Sequence, residues 1–142
     1  MPTKAKSAYG TKIKIGDGLT PETFTEIPEV GDIEGPGISQ EHEDVTTHSS
    51  AASGANREFI PTLLTNTDCE FELNYDHTEP THIALRVASQ NRTKKNFQKV
   101  NPEGTETISF AAYVSEMAFA DPVAGARKFP VTLKVTGGLT FA

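Results

Sequence analysis

The sequence has no tryptophan and one cysteine, Cys69, among its 142 residues. A lone cysteine closes no internal disulfide, so nothing in the chain requires an oxidising compartment. Without tryptophan there is little from which to build the aromatic platform of a carbohydrate-binding module. Long hydrophobic runs are absent as well. No stretch approaches the roughly 20 apolar residues that span a bilayer, and the opening MPTKAKSAYG holds no apolar signal core, so no membrane partner is expected. Positive charge is scarce: 13 Lys and Arg stand against 19 Asp and Glu, a formal net charge of −6, which disfavours holding nucleic acid by bulk attraction to phosphate. Hydrophobic residues are 36% of the chain, slightly low for a free-standing globule, which points to polar strands or to surface that partners complete.

The charge that is present is unevenly placed. From Gly16 to Asn56 the chain carries Asp17, Glu22, Glu26, Glu29, Asp32, Glu34, Glu41, Glu43 and Asp44 with no Lys or Arg. From Arg86 to Lys99 it carries Arg86, Arg92, Lys94, Lys95 and Lys99 with no acid. Such segments are either two solvated faces or complementary surfaces on neighbouring copies of one protein.

Apolar residues recur mostly with period two. CEFELNY sets Cys69, Phe71, Leu73 and Tyr75 on one face, the pattern of a half-buried strand. TISFAAYVSEMAF sets Ile108, Phe110, Ala112 and Val114 on one side and Tyr113, Met117 and Phe119 on the other, as if covered on both. FPVTLKV repeats the alternation through Phe129, Val131, Leu133 and Val135, with Pro130 indicating an edge or a strand start. TKIKI and KKNFQKV read as further strands, the second turning at Asn101-Pro102-Glu103-Gly104. A short strand is expected around Thr23 to Ile33, stopped by Gly35-Pro36-Gly37. One helix is expected at about residues 79–90, with Thr78 or Glu79 as cap, Pro80 in the first turn and an apolar stripe of Ile83, Val87, Ala84, Leu85 and Ala88. The fold class is therefore mainly β, a sandwich or barrel with one flanking α-helix.

The segment after Gly37 breaks the pattern. Val45, Thr46 and Thr47 favour a strand, yet Val45 is the single apolar side chain from Ser39 to His48. With Glu41, Glu43 and Asp44 present, neither face can enter a dry core. A strand polar on both faces lies at an exposed edge or lines a wet cavity.

Asp44, His48, Ser49 and Ser50 hold the ingredients of a hydrolytic triad. They sit beside Ala-Ala-Ser-Gly-Ala, which fixes nothing, and no nucleophile elbow is present. His42, His48, His77 and His82 show no metal-ligand spacing and read as ordinary surface histidines. Gly35-Pro36-Gly37 lacks the strand-to-helix setting of a phosphate loop. Cys69 reads as a small core hydrophobe. No catalytic residue, metal site or cofactor is expected. The stretch from Thr47 to Arg57 suits assembly better, because fixing it costs on the order of 10–20 kcal/mol that docking on another subunit can offset.

FTEIPEVGDIEGPGIS, EDVTTHSS, REFIP, ELNYDHTEPTH and the closing VTLKVTGGLTF occur in that order. Together they resemble the major tail tube proteins of long-tailed, siphovirus-type bacteriophages, from roughly Tyr9 to Phe141. The resemblance implies a β-sandwich with a flanking helix that forms hexameric rings stacked into a tube, whose inner strands join in one β-barrel around the lumen. It implies a virion location, a tape-measure protein inside the tube, tail-tip and tail-terminator proteins at its ends, and DNA passing without specific binding. Glu41, Glu43 and Asp44 would then face the lumen. Thr47, His48, Ser49, Ser50, Asn56, Arg57, Glu58 and Phe59 would belong to an inter-subunit loop over residues 47–57. Arg86, Arg92, Lys94, Lys95 and Lys99 would meet a neighbouring subunit. One tail-tube domain over residues 1–142 is expected, with an N-terminal arm over 1–10 and no appended decoration domain. The rival readings are a tube protein of a contractile-tail or secretion apparatus, and a monomeric β-sandwich binding module.

Overall fold

The structure, a computed structural model, describes residues 3–49 and 54–142. The strands run in the order β1 (Lys12–Gly16), β2 (Phe24–Glu26), β3 (Val30–Glu34), β4 (Gly37–Asp44), β5 (Phe59–Thr67) and β6 (Cys69–Asn74). Helix α1 (Pro80–Asn91) follows, then β7 (Lys94–Val100), β8 (Thr107–Met117) and β9 (Lys128–Phe141). Seven strands form one sheet in the order β2-β1-β7-β8-β9-β6-β3, and β4 pairs with β5 in a separate two-stranded sheet.

The large sheet is curled into a half-barrel, and chain length shows why. Strands β2 and β3 lie at its opposite edges yet are joined only by Ile27, Pro28 and Glu29. From Glu26 to Val30 the chain can reach about 14 Å at most. The edges of a flat seven-stranded sheet would lie roughly 29 Å apart. The connection is pinned on both sides, Ile27 N–H to Ile13 O at 2.9 Å and Asn74 N–H to Glu29 O at 2.9 Å. The short strand expected around Thr23 to Ile33 is thus two strands on opposite edges, split where Glu29 takes φ of 63°.

The concave side is filled as the period-two pattern predicts. Ile13 and Ile15, Cys69, Phe71 and Leu73, Phe97, Phe110, Ala112 and Val114, and Phe129, Val131, Leu133 and Val135 form one core with Leu85 and Ala88 of α1. The convex side of β8 is not covered, since Tyr113 remains 42% exposed. Pro130 lies near the start of β9, which is an interior strand, so it marks a strand start and no edge.

Helix α1 starts after Glu79 with Pro80 in its first turn and ends at left-handed Arg92, whose N–H donates to Ser89 O while Thr93 N–H donates to Ala88 O. Its buried face is Thr81, His82, Leu85 and Ala88, while Val87 is exposed. The stripe expected through Ile83 and Val87 is therefore rotated. What rotates it is His82, which is fully buried. Its Nδ1 accepts the Asp76 N–H at 3.2 Å, and its Nε2 donates to Pro28 O at 2.9 Å, so the ring is neutral with its proton on Nε2. His82 ties the helix to the link that holds the two sheet edges together. Reading it as a surface histidine is corrected here: a polar ring satisfied at both nitrogens can occupy a core position.

Candidate assembly surface

Strands β4 and β5 form a hairpin that departs from the body at Gly35-Pro36-Gly37. Gly35 has φ of 73°, and a Cβ there would run into the Asp68 carbonyl oxygen, so the junction demands glycine. Lys99 Nζ donates to Gly35 O at 2.7 Å, and Asn66 Nδ2 donates to Gly137 O, fastening the hairpin base to β7 and β9. Beyond the base, almost every residue of both strands is exposed. A lone two-stranded ribbon is marginal in water, and this one carries Ile38, Phe59, Ile60, Leu63 and Leu64 at 46–67% exposure.

The register assigns its faces. Ser39 pairs with Thr65, Glu43 with Ile60, Gln40 with Leu64, and Asp44 with Phe59. Between Gln40 and His42 the partner steps from Leu64 to Pro61, a bulge that sets Thr62 and Leu63 together against Glu41. Glu41 and Glu43 therefore share one face, and Asp44 belongs to the other. Strand β5 lacks clean alternation in sequence because Pro61 and this bulge interrupt it.

Asp44 instead closes the base of the loop. Its Oδ1 accepts the Thr46 N–H at 2.9 Å, and Arg57 lies 3.5 Å from its other oxygen. The Thr46 hydroxyl and amide hold the Asp44 carboxyl below the usual range, with a smaller contribution from Arg57. Glu58 N–H donates to Thr46 Oγ1 at 2.8 Å, and Val45 N–H to Glu58 O at 2.9 Å. Thr47, His48, Ser49, Asn56 and Arg57 then project beyond this clasp, all exposed except the half-buried neighbour Glu58, and Phe59 opens β5. Ser50 lies outside the described residues.

The basic candidates do not form one patch. Arg86 donates to Tyr75 Oη at 3.4 Å, Arg92 caps α1, and Lys99 is occupied by Gly35. Lys94 and Lys95 alternate across β7, opposite exposed Tyr113 and buried Ala112. Burial pushes the Cys69 thiol up to about 12, which suits a core side chain and not a nucleophile. Among the described residues, no three His, Cys, Asp or Glu side chains are grouped to hold a metal ion.

A half-barrel with open edges, holding out a ribbon of unburied leucine, isoleucine and phenylalanine, has the surface of a structural subunit completed by neighbours. The sequence says which kind. Residues 3–142 match the family described as phage tail tube protein, TTP, and the chain belongs to that family. It is a structural protein family of the virion tail. The fold is similar to the tail of an empty GTA particle refined with C6 symmetry: TM-score 0.79, 18% identity, covering 97% of this chain and 99% of that one. It is similar to the SPP1 tail tube, with TM-score 0.69, 16% identity, and 93% and 76% of the two chains covered. A sheath-tube complex of an extracellular contractile injection system, PVC, gives TM-score 0.72, 15% identity, and 98% and 92% coverage. Among curated proteins, no sequence matches the chain.

Proposed function

We propose that this chain builds a tail tube from six-membered rings, stacked coaxially, through which DNA leaves the particle. The observation that carries the proposal is the β4–β5 hairpin, whose strands are nearly unburied within one chain. Pairing each hairpin with the next subunit satisfies its free edge and covers the apolar side chains on the face away from Glu41 and Glu43. The C6 symmetry of the similar GTA tail supports six copies per ring. Stacking is an open, head-to-tail contact, which gives a filament of any length.

The face bearing Glu41 and Glu43 lines the lumen in this reading. A negative wall repels phosphate within a Debye length of about 8 Å, so DNA slides without adhering. Asp44 contributes by clasping the 47–57 loop, which orders against the adjacent ring. Arg92, which caps α1 through its backbone, and Lys94 are the exposed members of the basic group left to meet a neighbour. A tape-measure protein occupies the tube before ejection, and tail-tip and tail-terminator proteins close its ends. The chain catalyses nothing in this role and needs no cofactor.

The test is the double substitution Glu41→Lys with Glu43→Lys. Both side chains are exposed, so tubes form normally, and DNA release from particles carrying them slows. Normal tubes with release at the unmodified rate would reject the lumen assignment.

A further inference from the structure

The curl of the large sheet leaves a seam. Strand β2 covers β1 only over Lys14–Gly16, and the chain then crosses at Ile27–Glu29 to become β3. Among the described residues, β3 pairs with β6 on one side and with no strand on the other. A cleft of about 830 Å³ runs along that free edge, with Val30–Glu34 as one wall, residues 8–11 as the other, and Lys99 beside Glu34.

An unpaired strand edge offers its N–H and C=O groups to one further strand. The side chains along this edge say what kind. Ile33 packs against the core, while Asp32 and Glu34 on either side of it are exposed. Glu34 is also the cross-strand partner of Glu70, and like charges directly opposite destabilise a sheet. The nearby cations are engaged elsewhere: Lys99 Nζ on Gly35 O at 2.7 Å, Lys12 toward Glu26 at 4.0 Å, and Lys128 with Glu72 at 3.5 Å. The edge therefore fits a strand with small side chains on its inner face and two cations, two residues apart, on its outer one.

Residues 3–7, Thr-Lys-Ala-Lys-Ser, have that pattern. Extended, they set Lys4 and Lys6 on one face at about 6.8 Å, the repeat that also separates Asp32 from Glu34, and Thr3, Ala5 and Ser7 on the other. All five are exposed. Within one chain they are held away from the cleft. The Thr11 N–H and hydroxyl both donate to Ala8 O, at 3.2 and 2.7 Å, closing a turn. The arm beyond it runs to the connection between β7 and β8, where Lys6 meets Glu103 at 3.0 Å. That connection borders β1 on its β7 side, and the cleft lies on its other side. An exposed ion pair such as Lys6–Glu103 contributes little and is readily exchanged.

We infer that residues 3–7 of one copy add as a strand to the free edge of β3 in an adjacent copy, with Lys4 and Lys6 beside Asp32 and Glu34. This contact rests on the tube reading and adds a join between subunits to it.

The test begins with tubes assembled from an equal mixture of unlabelled and heavy-isotope-labelled full-length chains. A carbodiimide joins lysine amines to carboxylates in contact, and mass spectrometry of the digest reads which copies are joined. Lys4 or Lys6 should be joined to Asp32 or Glu34 between light and heavy copies. Joins confined to a single copy, or Lys6 joined to Glu103 alone, would overturn the inference. Lys4→Glu with Lys6→Glu should raise the critical concentration for assembly about 10-fold, as should Asp32→Lys with Glu34→Lys. The chain carrying all four substitutions should assemble near the unmodified concentration. No rise in either double variant, or no recovery in the combined one, would overturn the inference as well. Thermal melting separates lost contact from lost fold. If the β3 variant will not fold, Lys4→Gln with Lys6→Gln, confined to exposed residues, takes its place; it should raise the critical concentration, and a rise unchanged in about 1 M salt would overturn the inference. Failure of the unmodified chain to assemble, with or without tail-tip complexes, would instead reject the tube reading.

Discussion

Replacing Leu63 and Leu64 with threonine separates the fold of the subunit from the fold of the tube. Both leucines are 67% exposed, and as neighbours on a strand they sit on opposite faces of the hairpin, Leu64 paired with Gln40 and Leu63 on the side of Glu41 and Glu43. Fully burying a leucine contributes about 1.5–3 kcal/mol. Leu63 shares the lumen face with Glu41 and Glu43 and stays in water, so covering the exposed two-thirds of Leu64 on assembly contributes roughly 1–2 kcal/mol per subunit. At about 1.4 kcal/mol per factor of ten, the critical concentration for assembly should rise about 5- to 30-fold. Threonine keeps the strand propensity, and neither leucine belongs to the buried core, so the monomer should change by no more than about 0.5 kcal/mol. The assay is sedimentation across a concentration series, beside a circular-dichroism melt taken below the assembly threshold. Leu64→Thr alone should carry the whole rise, and Leu63→Thr alone should leave assembly at the unmodified concentration. Tubes at the unmodified concentration, or a melt lowered by many degrees, would refute the reasoning, because the leucines would then serve the monomer or nothing.

His82→Ala should do the reverse. It removes a fully buried ring and leaves Pro28 O and the Asp76 N–H without their partners, a loss of about 3–5 kcal/mol. At about 2–4 °C per kcal/mol the melting temperature falls by roughly 6–20 °C, whereas exposed His77→Ala leaves it in place. Acid should also weaken the fold. The Thr78 hydroxyl and amide hold the Asp76 carboxyl low, the amides of Leu19 and Thr23 do so for Asp17, and Thr46 for Asp44. Carboxyls depressed in the folded state contribute stability above their unfolded value near pH 4, and that contribution is lost as pH falls through the lower folded values. Melts from pH 6 downward should show this loss, and Asp76→Asn should flatten part of it; an unchanged slope would show that Asp76 contributes none.

How much of this was legible in the sequence depended on whether a residue's surroundings were local. Alternation in CEFELNY, FPVTLKV and TKIKI placed the buried face of β6, β9 and β1 correctly, because a strand's period of two requires no knowledge of its partner. The polar run correctly announced a strand outside any dry core from Ser39 to Asp44, but Val45, Thr46 and Thr47, expected to continue it, lie beyond its end. The crossing at Ile27–Glu29 was not legible, since only the curl of the whole sheet brings its edges together. The same holds for His82, whose two acceptor and donor partners lie on different elements. Its one sequence signal is spacing, residues 81, 82, 85 and 88 tracing one helical face, and apolarity alone selected Ile83 and Val87 instead. The Glu34–Glu70 opposition likewise depends on a pairing register that includes an irregularity between Val30 and Ile33.

The most direct test is negative-stain microscopy of the purified protein over a concentration series, with its solution mass measured in parallel. The account predicts hollow rings or tubes with sixfold end views, appearing above a threshold concentration or on addition of tail-tip complexes. A monomer that persists at every concentration, with tail-tip complexes present, would contradict it.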